Sequence, residues 1–185
     1  MIPSTTSYGM MLYRFMVDLK QEATVYQYLL NLSAILSDDE IHRFMDSHLI
    51  ESSQKQHILN QLFDQLDIQL SSFKDLMTFI MMLNDYKYSS FKTLVTVYEK
   101  QYHQDNGIKV AEIASATPLN HDQLDEIEHH LQQRYQSKIE LRLSVNPELL
   151  SGLVIRVESE KIDLSLSNQL ERLKEQLQKG VRDHV

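Results

Sequence analysis

The sequence predicts a mainly α-helical protein, with a six-helix bundle at residues 1–105 followed by a small α/β domain at residues 106–185. Neither Gly nor Pro occurs between Gly9 and Gly107, although these residues are the usual punctuation of turns and loops. Hydrophobic residues in that stretch recur at helical spacing. After Gly107 the period changes to the alternation that is typical of strands, so the boundary is expected near residue 106.

Six helices are predicted in the first domain, each with an apolar stripe and a polar start. The first two stripes are Tyr8, Met11, Leu12, Phe15 and Leu19, and then Val25, Tyr28, Leu29, Leu32, Ile35 and Leu36. Ser37–Asp39 predicts the cap of a short third helix, and serine pairs at 52–53, 71–72 and 89–90 are expected to open the last three. The connections implied are short, as in a helix bundle.

The second domain is expected to alternate strands and helices. The predicted elements are a strand from Ile108 to about Ala116, a helix opened by the Asn120–Gln123 capping box, strands at Lys138–Val145 and Leu153–Val157, a turn into Lys161–Ile162, and a helix striped by Leu166, Leu170, Leu173 and Leu177.

Composition excludes several classes of function. The formal charge is −8, and acidic residues outnumber basic ones in both domains, so no nucleic-acid partner is expected. The absence of cysteine rules out a disulfide framework, a thiol nucleophile and Cys-ligated zinc. The longest apolar run, Leu76–Leu83, is far short of a membrane span, and the first 20 residues do not resemble a signal peptide. We therefore expect no direct membrane insertion.

One polar cluster offers metal-ligand chemistry. His121, Asp125 and Glu128 share a face of the predicted seventh helix, in a segment that also holds His129 and His130. An enzyme with a metal site there is one hypothesis. A solvated acidic face is the favoured interpretation, because the apolar stripe of that helix is complete without these residues and no HExxH pattern occurs. No catalytic residue, metal or cofactor is predicted.

The fifth helix carries more apolar surface than one buried stripe needs. Phe73, Leu76, Met77 and Ile80 form one stripe, and Phe79, Met82, Leu83 and Tyr86 extend to the other side. Such a helix is either central in its bundle or presents a second face to a partner. The small size of the bundle and the adaptable methionine pair Met81–Met82 favour a groove that accepts a partner helix.

The second domain carries motifs that resemble one known family. Val145–Val157, with the sequence VNPELLSGLVIRV, is similar to the most specific signature of the ATP synthase delta subunit family, V-D-P-x-L-I-G-G-V-V-I-R. Lys109–Leu119 resembles the family's β–α entry, and Asp163-x-Ser165 followed by Leu170-Glu171-Arg172-Leu173 resembles its ending. The mitochondrial counterpart of the family is the oligomycin-sensitivity-conferring protein.

The resemblance implies a structural role for the signature residues. They are Asn146, Pro147, Leu150, Gly152, Arg156, Asp163, Ser165 and Leu170. Asn146 replaces the family's usual Asp, Ser151 the first Gly of the pair, and Leu164 the usual Gly after Asp163.

The resemblance also implies a non-catalytic stator subunit of an F-type ATP synthase, placed at the cytoplasmic face of the bacterial cell membrane as a peripheral protein. The bundle would hold the N-terminal helix of an alpha subunit between its first and fifth helices, and the second domain would bind the peripheral-stalk b subunits. The linkage would resist rotor torque during proton-driven ATP synthesis. By position, the groove would be lined by Tyr8, Met11, Leu12, Phe15, Phe79, Met82, Leu83 and Tyr86. The alternative is a helical adaptor or regulatory module with a different partner.

Overall fold

The structure is a computed structural model that describes residues 5–171 and 174. The described residues divide between Asn106 and Gly107 into two compact units. The architecture is mainly helical, with a helical bundle followed by a small α/β unit, so the predicted fold class is confirmed.

Six helices make up the described part of the first unit. They are α1 (Thr5–Asp18), α2 (Glu22–Leu36), α3 (Asp39–Asp46), α4 (Ser52–Gln65), α5 (Ser71–Leu83) and α6 (Tyr88–Asn106). Helix α1 packs on α2 and α6, and α5 packs on α4. The core draws on all six helices, with residues such as Leu12, Leu29 and Phe73 fully buried.

The helix starts follow local chemistry in some places and tertiary contacts in others. Asp38 caps α3 as predicted, its side chain accepting hydrogen bonds from the backbone N–H groups of Glu40 and Ile41. Helix α6 starts at Tyr88, one residue before the predicted serine pair. The backbone N–H of Tyr88 donates 2.8 Å to Oδ1 of Asp46, which lies at the end of α3. A carboxylate 42 residues away in the chain therefore caps α6.

The second unit is a four-stranded mixed sheet with one helix, α7, bounded by His121–Tyr135. The strands are β1 (Ile108–Ser115), β2 (Lys138–Val145), β3 (Leu153–Val157) and β4 (Glu160–Asp163). Their spatial order is β2-β1-β3-β4, with β1 and β2 parallel and the other two pairs antiparallel. Residues 166–171 are helical, whereas Leu173 and Leu177 of the predicted last stripe lie outside the described residues.

Helix α7 covers one face of this sheet. Ala111 and Ile113 of β1, Ile139 of β2 and Ile155 of β3 form a small core with Leu131 of α7. The predicted capping box at the start of α7 is present, with Asn120 and Gln123 exchanging side-chain to backbone hydrogen bonds of 2.9 and 3.0 Å. Among the described helices, none is both long and apolar enough to cross a membrane.

Candidate functional site

An apolar groove of about 460 Å³ lies between α1 and α5 on the surface of the helical unit. Met11 and Phe15 of α1 line one wall, and Leu76 and Phe79 of α5 line the other. Met11 and Phe15 are four residues apart and so lie on one face of α1. The arrangement offers a partner apolar side chains on two facing walls, of which Met11, Phe15 and Phe79 are exposed and Leu76 is partly buried.

The wall on α5 continues along the helix beyond the groove residues. Phe79, Met82 and Leu83 are 49%, 51% and 44% exposed, unusual values for large apolar side chains in a helix whose opposite face is fully buried. Spacings of three and four residues place Met82 and Leu83 one turn beyond Phe79 on the same face. Clustered exposed apolar side chains of this kind mark interaction surfaces.

Three residues expected to line the groove lie elsewhere. Tyr8, Leu12 and Tyr86 are buried in the bundle core, so they do not present surface to a partner. Tyr8 and Leu12 lie on the inner side of α1, because the apolar stripe of this helix is wide enough to serve both core and surface. Tyr86 follows the end of α5, where Asp85 and Tyr86 both adopt positive φ, near 55°. The helical period no longer holds there, and the Tyr86 ring lies inside the bundle.

A glycine lets α1 pack closely against α6. A Cβ added to Gly9 would lie 2.9 Å from the carbonyl oxygen of Leu94 and 2.9 Å from Cβ of Val97. The small residue therefore allows a helix separation that any side chain would prevent. The close packing fixes the position of the helix that carries Met11 and Phe15.

A buried lysine in α4 contacts the turn that follows α5. The side chain of Lys55 in α4 is buried, and its Nζ donates 3.4 Å to the carbonyl oxygen of Asp85. A cation close to the C-terminal end of a helix is also favoured by the helix dipole. In addition, the Asn84 side-chain amide donates 2.8 Å to the carbonyl oxygen of Ile80. Both contacts fix the end of the groove wall.

Charged groups border the groove and the hollow beside it. Asp75 and Ser72 lie at the edge of the groove on α5. On the other side of the Met11–Phe15 row, a second hollow is lined by residues that include Arg14 and Asp18. The floor is thus apolar, and the border carries polar groups of both signs that can orient a bound segment.

The family-signature residues of the second unit build a turn and a helix start. Asn146 accepts a 3.0 Å hydrogen bond from the backbone N–H of Glu148, and its own N–H donates 2.9 Å to the carbonyl oxygen of Ser115. The amide therefore performs the turn-closing role expected of the usual Asp. Pro147 and Leu150 lie exposed in the same turn, with Leu150 77% exposed.

Gly152 occupies a position that a side chain could not. Its φ is +86°, and an added Cβ would collide with the carbonyl oxygen of Leu164. Leu164 is held there because its N–H donates 2.9 Å to the carbonyl oxygen of Leu153. The turn and the segment after β4 therefore meet at Gly152 with no space between them.

Asp163 and Ser165 start the helical segment that follows β4. Oδ1 of Asp163 accepts hydrogen bonds from the Ser165 hydroxyl at 2.6 Å and from the Ser165 backbone N–H at 3.1 Å. The hydrogen bonds from Ser165, together with the ion pair to Lys161, lower the pKa of Asp163 to about 2. The Ser165 hydroxyl in turn accepts from the Asn168 N–H at 3.3 Å, as an N-cap does.

One end of the sheet presents exposed apolar side chains, of which only Leu150 and Leu170 are among the signature residues expected to have a structural role. Val145 pairs with Ser115, and Ser115 pairs with Leu153, so these strand ends share one edge of the unit. The Leu166 N–H donates 3.0 Å to the carbonyl oxygen of Ser151, which adds the start of the last helical segment to the same end. The exposed large apolar residues near these strand ends are Leu143, Val145, Leu150, Leu164 and Leu166, and Leu170, one helical turn after Leu166, is exposed as well. We call this set the sheet-end patch.

Arg156 lies among charged residues of both signs on the face of the sheet that α7 does not cover. The register places Arg156 opposite Glu112 of β1 and Lys161 of β4. These residues border a hollow of about 380 Å³ that Asp163 also lines. Arg156 is exposed, and it does not contribute to the core between the sheet and α7.

The histidine-rich segment forms the outer face of α7. His121 and Asp125 lie 3.9 Å apart, and His130 and Glu126 lie 3.8 Å apart, all with largely exposed side chains. They form i, i+4 pairs, and among the described residues no three potential ligands of this helix converge. The arrangement is that of a solvated helix face.

Comparison with known proteins agrees with the motifs. The sequence matches the family model described as "ATP synthase delta (OSCP) subunit" over residues 5–177. It is 25% identical over 176 residues to ATP synthase subunit delta of Enterococcus hirae, covering 92% of this chain and 93% of that protein. It is also 27% identical over 142 residues to the protein of the same name from Neisseria meningitidis, covering 77% of each.

A solved structure shows the same fold. A chain of the mitochondrial ATP synthase of Toxoplasma gondii superimposes with a TM-score of 0.63 at 23% identity, covering 95% of this chain and 98% of that one. The shared architecture therefore extends over both units.

Proposed function

The chain belongs to the ATP synthase delta (OSCP) subunit family, and from this premise we propose that it joins the catalytic head to the peripheral stalk as a stator. As a member of this family it is a non-catalytic, peripheral component that works with other subunits of an ATP synthase. In the proposal the helical unit holds the N-terminal helix of an alpha subunit, and the second unit binds the b subunits. It acts at the cytoplasmic face of the cell membrane during proton-driven ATP synthesis.

The apolar groove between α1 and α5 is the observation that carries the proposal. Its two rows, Met11 with Phe15 and Phe79 with Met82 and Leu83, suit the apolar face of an amphipathic helix. A stator must transmit force without dissociating, and affinity among related contacts depends mainly on slow release. Large apolar side chains that become fully desolvated on docking supply such contacts.

The sheet-end patch is the proposed contact for the b subunits. Its exposed leucines, of which Leu150 is the most exposed, lie in the second unit, whereas the groove lies in the first. Two apolar surfaces on two separate units match the need of a linker to bind two partners at the same time. The bond to the head and the bond to the stalk would then be independent.

A crossed pair of substitutions tests the assignment on the full chain. One probe is a peptide that copies the N-terminal helix of the same organism's alpha subunit, and the other is the C-terminal segment of its b subunit. Phe79→Asp should abolish binding of the alpha peptide and leave b binding unchanged, whereas Leu150→Asp should do the reverse. Leu49→Asp, at a 93% exposed site outside both surfaces, should affect neither.

Titration calorimetry of both probes reads out the result. Failure of the wild-type chain to bind the alpha peptide at high micromolar concentration would overturn the assignment of the groove. Loss of both partners in either single variant would overturn the assignment of separate surfaces.

A further inference from the structure

Methionines are distributed unevenly between the core and the surface of the helical unit. The chain has eight methionines and no cysteine. Met16, Met45, Met77 and Met81 are buried, whereas Met11 is 43% exposed and Met82 is 51% exposed. Met10 is partly exposed, so Met11 and Met82 are the most exposed of the described methionines.

Both exposed methionines belong to the walls of the groove. Met11 lines it directly beside Phe15 and opposite Phe79. Met82 follows Phe79 by three residues, so it lies on the same face of α5. A helix seated in the groove would cover these two side chains, whereas an empty groove leaves them accessible.

The thioether of methionine reacts with hydroperoxides in a two-electron oxidation. The sulfur accepts one oxygen atom to become a sulfoxide, and the hydroperoxide is reduced to an alcohol, or to water when the oxidant is hydrogen peroxide. The product is polar and chiral, and dithiol-dependent reductases return it to the thioether. Because the chain holds no thiol, thioethers are its first sulfur targets for such oxidants.

We propose that Met11 and Met82 form a reversible oxidation site that controls docking in the groove. Oxidation places a sulfoxide oxygen in each apolar wall, where a docked helix would bury it without a hydrogen-bond donor. The modified groove then binds the alpha-subunit helix weakly. An occupied groove shields both sulfur atoms, so the modification acts on the unassembled subunit. This inference rests on the proposed function of the groove.

The test treats the full chain with hydrogen peroxide and follows both modification and binding. Peptide mapping by mass spectrometry should show sulfoxide at Met11 and Met82 well before Met16 and Met77. Affinity for the alpha peptide should then fall roughly tenfold or more, since burial of an unpaired polar group costs about as much as a tenfold change in binding. Treatment with methionine sulfoxide reductases A and B together, one for each sulfoxide epimer, should restore it.

A matched variant separates this effect from general damage. Met11→Leu/Met82→Leu keeps the approximate volume and apolarity of both side chains and removes both sulfur atoms. Whatever its affinity for the peptide before treatment, that affinity should be the same after peroxide. Bound peptide should also slow oxidation of the two methionines in the wild type.

The outcomes are distinct. Unchanged affinity of a wild-type chain that carries both sulfoxides, or equal loss in the leucine variant, would overturn the inference while leaving the groove assignment intact. Failure of the untreated wild type to bind the peptide would overturn the groove assignment and this inference with it.

Discussion

Gly9 of α1 and Val97 of α6 pack so closely that a Cβ on Gly9 would lie 2.9 Å from Cβ of Val97. A glycine inside a helix costs about 1 kcal/mol relative to alanine. The close packing of α1 on α6 explains why it is present here. Because α1 carries one wall of the groove, this contact also sets where that wall lies.

Replacing Gly9 by a larger residue should therefore separate the two helices. Gly9→Val is expected to lower the free energy of unfolding by about 1–3 kcal/mol, the usual cost of overpacking. Val97→Ala removes the Cγ1 methyl, which would lie 3.1 Å from the added Cβ, but leaves the Val97 Cβ and the Leu94 carbonyl oxygen at 2.9 Å. The double variant should therefore regain only a small part of the loss, with a coupling of about 0.5 kcal/mol. Urea unfolding of the four proteins measures it. Strictly additive effects would show that the Val97 Cγ1 methyl takes no part in the overpacking.

Two glycines with positive φ provide a matched pair in the second unit. Gly107 has φ +61° and nothing within 4 Å of an added Cβ, whereas Gly152 has φ +86° and faces the carbonyl oxygen of Leu164. Gly107→Ala should cost about 1 kcal/mol for the left-handed conformation alone. Gly152→Ala should cost about 1–3 kcal/mol more, because a backbone carbonyl must move. Thermal unfolding compares them, and equal losses would contradict the predicted collision.

The lowered pKa of Asp163 makes its contribution to stability depend on pH. The pKa in the folded chain is about 2 and the reference value is 3.8, so the ionised carboxylate stabilises the fold above pH 3.8. This contribution is lost as the pH falls through about 2. Asp163→Asn keeps the Oδ1 acceptor without the charge, so its stability should fall less steeply than that of the wild type between pH 4 and 2.

Ser165→Ala supplies the companion measurement. It removes the hydroxyl that donates 2.6 Å to Asp163, so the pKa of Asp163 should rise toward the ordinary range. An NMR titration of the Asp163 carboxyl carbon reads this value directly. An unchanged pKa would show that Ser165 does not hold the carboxylate.

Lys55 tests whether a buried lysine stabilises through its charge or through its carbon chain. Its ammonium has a long 3.4 Å contact with the Asp85 carbonyl, while its methylenes are fully buried. Lys55→Met keeps the volume and removes the charge, so it should change the free energy of unfolding by less than about 1 kcal/mol or increase it. Lys55→Ala should cost about 2–5 kcal/mol by leaving a cavity. If both variants lose the same amount, the ammonium contact is the main contribution.

Most helices and strands, and the fold class, could be predicted from the sequence, because apolar stripes, helix caps and strand alternation are local signals. The strand at Lys138–Val145 and the capping box at Asn120 occur as predicted. The serine pair at 89–90 predicts the start of α6 one residue late, because the cap of this helix comes from Asp46 in α3. A cap supplied by a distant helix leaves no signature beside the helix that it caps.

The exposure of the residues that are predicted to line the groove follows from the sequence only in part, for a related reason. Helical spacing places Met11, Phe15, Phe79, Met82 and Leu83 correctly on exposed faces. The same spacing cannot tell the inner edge of a wide stripe from its outer edge, which is where Tyr8 and Leu12 differ from their neighbours. The prediction that Tyr86 is exposed is wrong, because Asp85 and Tyr86 both have positive φ and the helical period does not extend to them. The sheet-end patch depends on strand register, which the sequence does not specify.

The order of the strands has a mechanical consequence. The chain passes from α6 through Gly107 alone into β1, and β1 lies in the interior of the sheet between β2 and β3. Tension along the chain would enter at Ile108, in a part of β1 that pairs with β2 alone, and would then reach Ala111–Ser115, which pair with strands on both sides. An edge strand can be peeled away one bond at a time, whereas extracting β1 requires two ladders to shear together. A central first strand therefore resists a pull along the chain better than an edge strand would in the same position.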